Sequence, residues 1–242
     1  KPERQTEILA AIGGLCEHIL KDCKDMGICK DAFSLKAMVD LQSNSPQKVI
    51  EAMEDMLNPY SFGRQDEALL IQAYMMQGEM EKADKYSQID MFSNVLKLVS
   101  DGTQLLMIHG QELNRCEAVI ERIDGLLKLF DMEQLHPNSA AGYHYQAAVA
   151  YAMHQRETEA YERLERFVRL AGTLVKEGVY LHGDAFFTGL EEWFEGADLG
   201  AKGVRDERLV MESTLQALEN PLFAGFADKL EKLKRMLLEE VK

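Results

Sequence analysis

One spacing constrains this chain more than any other: a tyrosine followed nine residues later by an alanine, at Tyr74 and Ala83 and again at Tyr151 and Ala160. In the first copy Gln72-Ala73-Tyr74-Met75-Met76-Gln77-Gly78 leads into Glu79-Met80-Glu81-Lys82-Ala83, and in the second Val149-Ala150-Tyr151 leads to Thr158-Glu159-Ala160. An aromatic late in one helix and a small residue early in the next suit two backbones that cross closely. Each copy therefore predicts a helical hairpin, which a bulky side chain at Ala83 or Ala160 would push apart. The two alanines are 77 residues apart, and a weaker copy with the same step runs through His109 and Ala118 between them. Units of roughly 34 to 40 residues place three hairpins in series.

The remaining patterns are helical too. Ile8, Ile12, Leu15, Ile19 and Cys23 recur at three- and four-residue steps between Glu3 and Lys24, which predicts an amphipathic opening helix with those residues on one face. Shorter helices are predicted around Asp31 to Leu41 and from Pro46 to Leu57, the latter with Ser45 as N-cap and Pro46 in the first helical position. Sustained period-two alternation of β-branched residues is missing, and Asp101-Gly102 reads as a break between helical patterns rather than a hairpin turn. After Glu177 the composition shifts, with six glycines between Gly178 and Gly203, and the regular array is expected to end there. Helices resume from Asp206 to Leu218 and from Pro221 to Val241, the last with Leu222, Phe226, Leu230, Leu233 and Leu237 at helical steps, expected to cap the stack. The prediction is an all-α right-handed α-solenoid of helical hairpins with irregular helices at both ends. Residues 1–177 form the repeat region and 178–242 a C-terminal extension packed on it, in one continuous domain.

Charge narrows the function classes. The balance of 27 Lys and Arg against 41 Asp and Glu gives a net charge of -14, and such a chain is repelled by polyanions. Nucleic-acid affinity rests largely on basic side chains neutralising phosphates, so direct contact with DNA or RNA by this segment is disfavoured, as is an anionic membrane surface. Cys16, Cys23, Cys29 and Cys116 are too few and too irregular for a disulfide framework, and reduced thiols in the cytoplasm are expected. No stretch approaches the roughly 18 apolar residues of a membrane span, and no signal-peptide pattern opens the chain. Because the sequence starts at Lys1 rather than Met, it is expected to be a processed or truncated form.

Motifs with a definite mechanism are missing: His-Glu-x-x-His, Cys-x-x-Cys, a phosphate-binding glycine loop and Gly-x-Ser-x-Gly are all absent, so no catalytic residue, metal site or cofactor is expected. The six- and seven-residue steps of Cys16, Cys23 and Cys29 suit buried or half-buried thiols better than a zinc or redox site. His136, His144 and His154 fall in one predicted hairpin, but His144 and His154 lie on different sides of a helix, which favours surface or capping roles. In Glu191-Glu192-Trp193-Phe194-Glu195 the aromatics are expected to dock the helix, with the acids in solvent.

The stretches Leu70 to Ala83 and Tyr145 to Ala160 resemble tetratricopeptide repeats, although Ile71 and Gln155 stand where a small residue and Gly are usual and His109 replaces Tyr in the middle copy. The resemblance implies a concave groove lined by the first helix of each hairpin. Carrying the register across assigns Gln72, Met75 and Met76, then Gln104, Met107 and Gln111, then Tyr145, Gln146 and Met153 to that lining. Adaptable methionines, amide side chains and a rigid tyrosine suit an extended peptide, while packing between hairpins is the competing role for Met75 and Met107. Leu181-His182-Gly183-Asp184-Ala185-Phe186-Phe187, then Leu190 and Trp193, then Leu218-Glu219-Asn220-Pro221-Leu222-Phe223, resemble the C-terminal region of bacterial helix-turn-helix transcription regulators of the XRE (Cro/cI-like) class. That likeness implies a sensing region with a peptide or protein ligand, DNA contacted only through a separate N-terminal domain, and a homodimer as one assembly. The alternative is a free-standing scaffold for protein–protein interaction, and a third class, an unrecognised hydrolase, would need a buried His or carboxylate cluster in a closed pocket.

Overall fold

A computed structural model describes residues 2–53, 66–177, 179–196, 202–203 and 206–240. Their regular secondary structure is helical apart from a two-residue antiparallel ladder that pairs Val179 with Gly203 and Tyr180 with Lys202. Among them no helix is long and apolar enough to cross a membrane. The chain divides into two compact units, residues 1–66 and 67–242.

The first unit contains α1 (Pro2–Asp22), α2 (Met26–Gln42) and α3 (Pro46–Met53). Asp25 caps α2 by accepting from the Ile28 amide at 3.1 Å. The predicted face of α1 is corrected in part: Ile12, Ile19 and Cys23 are half-buried, but Ile8 and Leu15 are exposed, and Gly13 and Cys16 take the most buried positions. Small residues win those positions because α2 approaches closely; a Cβ on Gly13 would stand 3.4 Å from the Val39 side chain. Lys36 ties the pair together, reaching Asp40 at 2.6 Å and Glu17 at 3.4 Å. Ser45 does precede the first residue of α3, but its hydroxyl donates to the Ser43 carbonyl. The predicted extension of α3 to Leu57 lies outside the described residues.

The second unit runs through α4 (Asp66–Gln77), α5 (Met80–Ile108), α6 (Leu113–Leu129), the single turn α7 (Met132–Leu135), α8 (Pro137–Met153) and α9 (Glu157–Glu177). It then continues with α10 (Leu190–Glu195), α11 (Glu207–Leu218), a 3-10 helix (Pro221–Phe226) and α12 (Ala227–Glu240). The turns at the two Tyr-to-Ala copies are built alike. Gly78 has φ 76° and Gln155 φ 57°, the following amides of Glu79 and Arg156 each donate back to the Tyr74 and Tyr151 carbonyls at 3.0 Å, and Ala83 and Ala160 are buried. A left-handed residue just past a helix end is how such turns satisfy the last carbonyls, and glycine fits it without a Cβ clash.

The middle copy is different. Its turn spans His109 to Glu112 with no left-handed residue, and Ala118 is exposed rather than at a helix crossing. Nor does Asp101-Gly102 break a helix: both residues lie inside α5, one uninterrupted helix of 29 residues. Gly102 serves packing instead, because a Cβ there would fall 2.5 Å from Cγ1 and 2.6 Å from Cδ1 of Ile123 on α6. Among the described residues, α4 meets α5 through the Tyr74–Tyr86 stack beside their turn, with ring centroids 5.4 Å apart, rather than along its length.

At the centre of the unit is α8, which is apolar nearly all round, with Ala140, Ala141, Tyr143, Ala147, Ala148 and Ala150 buried. Its alanines let α9 lie close along it, while α5 and α6 pack on other sides. The C-terminal segments close over this hairpin: α11 and α12 lie on α9, and the 3-10 helix, which replaces the first turns of the single helix predicted from Pro221, lies on α8. Phe92 of α5 is completely buried and receives the ring edges of Phe187 at 5.5 Å and Phe194 at 5.6 Å, which docks α10. Its neighbour Trp193 stays 39% exposed, so one of the two expected docking aromatics does that job.

Candidate functional site

The nine residues expected to line one groove separate into two groups. Gln72, Met75 and Met76 on α4, Gln104 and Met107 on α5, and Gln111 in the next turn are exposed, the three methionines at 52%, 82% and 56%. Tyr145, Gln146 and Met153 on α8 are half-buried. Tyr145 packs against Phe167 and Phe223 with centroids 5.3 and 6.1 Å away, and its hydroxyl accepts from the Asn220 amide at 3.1 Å. The Met153 sulfur sits against Gly110, 3.2 Å from where a Cβ would be. The cause is the centrality of α8: a helix covered on nearly every side has no open face to offer. The exposed candidates are therefore the α4 group and the group at the end of α5, which the structure does not bring together: Met80 and Gln104 stand roughly 36 Å apart along the one helix.

A polar cluster that sequence reasoning missed lies where α6, α7, α8 and α9 meet. Arg163 of α9 forms a two-pronged pair with Asp124 of α6, one prong at 2.6 Å. The Tyr143 hydroxyl donates to Asp124 at 2.8 Å and lies 3.1 Å from the Ile120 carbonyl. His144, fully buried, bridges to Glu133 of α7 through Nε2 at 2.9 Å and faces Arg163 through Nδ1 at 3.4 Å. Guanidinium nitrogens only donate, so Nδ1 is the acceptor and Nε2–H points at Glu133. His144 thus departs from the expected surface or capping role, whereas His136 accepts from the Ser139 amide as the α8 N-cap and His154 closes the other end against the Gly110 carbonyl at 2.8 Å. Three of the partners leave a signal on an otherwise apolar face: Arg163 falls between the buried Ala160 and Leu164, and Tyr143-His144 interrupts a run of alanines.

The electrostatics follow from this geometry. Burial alone pushes Asp124 up, but the hydrogen bonds and charge of Arg163, with the Tyr143 hydroxyl, bring its carboxyl below the ordinary range. Glu133 is also lowered, chiefly by its bond to His144 against opposing burial. Burial and the nearby Asp124 charge raise the Tyr143 phenol far above its ordinary value, so it acts as a neutral donor. Burial likewise raises the Cys116 thiol, and its Sγ lies 3.2 Å from the His109 carbonyl, the arrangement of an inert packed cysteine. Cys16 is buried, and Cys23 and Cys29 are half-buried.

Two clefts open on the surface near these groups. A cleft of about 720 Å³ lies between the start of α5 and the α10 region, lined by Tyr74, Lys82, Lys85, Tyr86 and Glu192 among others; Lys85 pairs with Glu192 at 2.5 Å and Lys82 lies over the Tyr74 ring. A smaller one, of about 380 Å³, opens over the polar cluster between Asp124, Lys128, Asp131, Glu133 and Arg166. Lys82 pairs with Glu79, Lys85 with Glu192 and Arg166 with Glu133. Among the described residues no group of three or more His, Cys, Asp or Glu is arranged to hold a metal ion. No family model, curated protein or solved structure matches the chain.

Proposed function

We propose that this chain is the non-catalytic, partner-sensing region of a cytoplasmic transcription regulator, a TPR-like solenoid that binds a peptide or protein through the exposed faces of α4 and α5. One observation carries the reading: two exposed patches mix thioethers with amides, Gln72, Met75 and Met76 on α4 and Gln104, Met107 and Gln111 around the far end of α5, spaced as an extended polypeptide could span. Exposed flexible thioethers mixed with amide donors and acceptors form an adaptable surface for a polypeptide. The matching left-handed turns at Gly78 and Gln155 support the repeat reading. The transcriptional part rests on the likeness of the segments around Leu181–Phe187 and Leu218–Phe223 to XRE-class regulators, in which Phe187, Leu218 and Phe223 are buried here. DNA is then reached through a separate helix-turn-helix segment, and partner binding shifts the population of domain arrangements that presents it. The gene's reading frame upstream of Lys1 tests this: a helix-turn-helix segment is expected there, and a start codon immediately before Lys1 would overturn the regulator reading in favour of a free-standing scaffold.

A further inference from the structure

A different surface, independent of the α4 and α5 face, carries a more specific chemistry. Where α6 ends, Leu129 and Phe130 meet the loop before α10, and Phe186 and Phe187 close a pocket of about 380 Å³. Phe187 forms its fully buried floor, with the Phe186 ring edge-on at 4.8 Å and the Phe130 ring 6.0 Å away. At the mouth, Leu129 is 77% and Phe186 59% exposed, which places two large apolar side chains side by side at the surface.

The charged residues of the pocket's own lining have one sign. Its two polar lining residues are Asp131 and Asp184, both exposed, and among the described residues no basic group pairs with either. Asp184 uses Oδ1 to accept from the Phe186 and Phe187 amides at 2.8 and 2.6 Å, which fixes its carboxylate beside the rings. The 17-residue α6 also ends here, with Phe130 as its C-cap, and a helix C-terminus carries partial negative charge. The negative faces of aromatic rings add to the same field. Lys128, in the last turn of α6, and Arg166 line the neighbouring cleft, which Asp131 borders as well, so Asp184 is the acid that faces this pocket alone.

We propose that this pocket binds a small organic cation with an apolar body, an alkyl- or aryl-ammonium, its apolar part against Phe130 and Phe187 and its charge between Asp131 and Asp184. A volume of this size, mostly apolar walls and a few fixed polar groups match the general form of small-molecule sites.

The test is titration of the full chain with benzyltrimethylammonium, followed by calorimetry and by amide NMR shifts, with phenylacetate as the anionic counterpart of similar size. The cation is expected to bind at least about tenfold more tightly than the anion, with shifts centred on residues 129–131 and 184–187. Phe186→Ala, at an exposed position, should weaken it about tenfold, and Asp131→Asn about threefold. Asp184→Asn keeps the oxygen that accepts from the loop amides, so a loss of about threefold there reads charge rather than loop collapse. Equal binding of phenylacetate, shifts centred elsewhere, or no saturable binding would overturn the proposal. So would a Leu-Arg-Leu peptide that binds this pocket more tightly than the free cation, since that would assign it to a partner's side chain.

Discussion

Substituting Gly102 by alanine isolates the contact on which the α5–α6 packing depends. Alanine is favoured over glycine inside a helix by about 1 kcal/mol, so on an open helix face the change would stabilise. Here the new Cβ would sit 2.5 and 2.6 Å from two Ile123 carbons, well inside van der Waals contact, and Ile123 is a β-branched residue with a stiff first torsion. Overpacking of this kind costs about 1–3 kcal/mol, which leaves Gly102→Ala destabilising by roughly 1 kcal/mol after the propensity gain. Ile123→Ala alone should cost about 2–5 kcal/mol through lost burial and the cavity it leaves. In the double variant both clashing carbons are gone, and the remaining Ile123 Cβ is 3.8 Å from the new methyl, an ordinary contact. Gly102→Ala should then stabilise by about 1 kcal/mol, a favourable coupling of about 2 kcal/mol. Urea unfolding followed by the fluorescence of Trp193, the chain's single tryptophan and a member of the second unit, reads these midpoints without interference from residues 1–66. Equal effects of Gly102→Ala with and without Ile123 would refute the close approach.

Other positions give further tests with the same readout. Ala160→Leu, at a fully buried crossing, should destabilise by about 1–3 kcal/mol, whereas Ala118→Leu, at the exposed position of the middle copy, should stay within about 0.5 kcal/mol. Gln155→Gly should stabilise by about 1 kcal/mol, because a non-glycine residue at φ 57° carries a Cβ penalty that glycine lacks. Acid should weaken the second unit through Asp124 and Glu133: their folded values lie below the ordinary ones, so their contribution is present above the ordinary carboxylate range and is lost as pH falls through the depressed values. Asp124→Asn should lower stability at neutral pH and flatten that acid limb in midpoints measured from pH 7 down to pH 3; an unchanged limb would contradict the assignment.

What the sequence reveals and what it conceals divide along physical lines. Helix existence was legible from periodicity, and the Tyr74 to Ala83 and Tyr151 to Ala160 turns from a small set of local contacts. The middle copy was misleading because a spacing of nine carries no information about which face of α6 packs, and Ala118 falls on the outer one. Gly102 has two opposite uses, breaking a helix or admitting a neighbour, and the deciding atom belongs to Ile123, distant in sequence. Likewise, the rotation of α1 that exposes Ile8 and Leu15 is set by the close approach of α2 at Gly13. For the candidate site, the α4 and α5 residues were reachable from register alone. The withdrawal of Tyr145 depends on Phe167, Asn220 and Phe223, contributed by α9 and by the chain around the 3-10 helix. The Asp124–Arg163 pair joins residues 39 apart and becomes visible only when α6 and α9 are placed around α8.

The partner-sensing claim is tested most directly by native mass spectrometry of the full chain after exposure to peptides from cell extract, beside a variant carrying Met76→Lys and Met107→Lys. Both methionines are more than half exposed, so the variant should keep its fold, checked by an unchanged Trp193 unfolding midpoint. A discrete peptide-bound mass is expected for the natural chain and should be lost from the variant. An absent adduct, or one that persists undiminished in the variant, would contradict the partner-sensing claim.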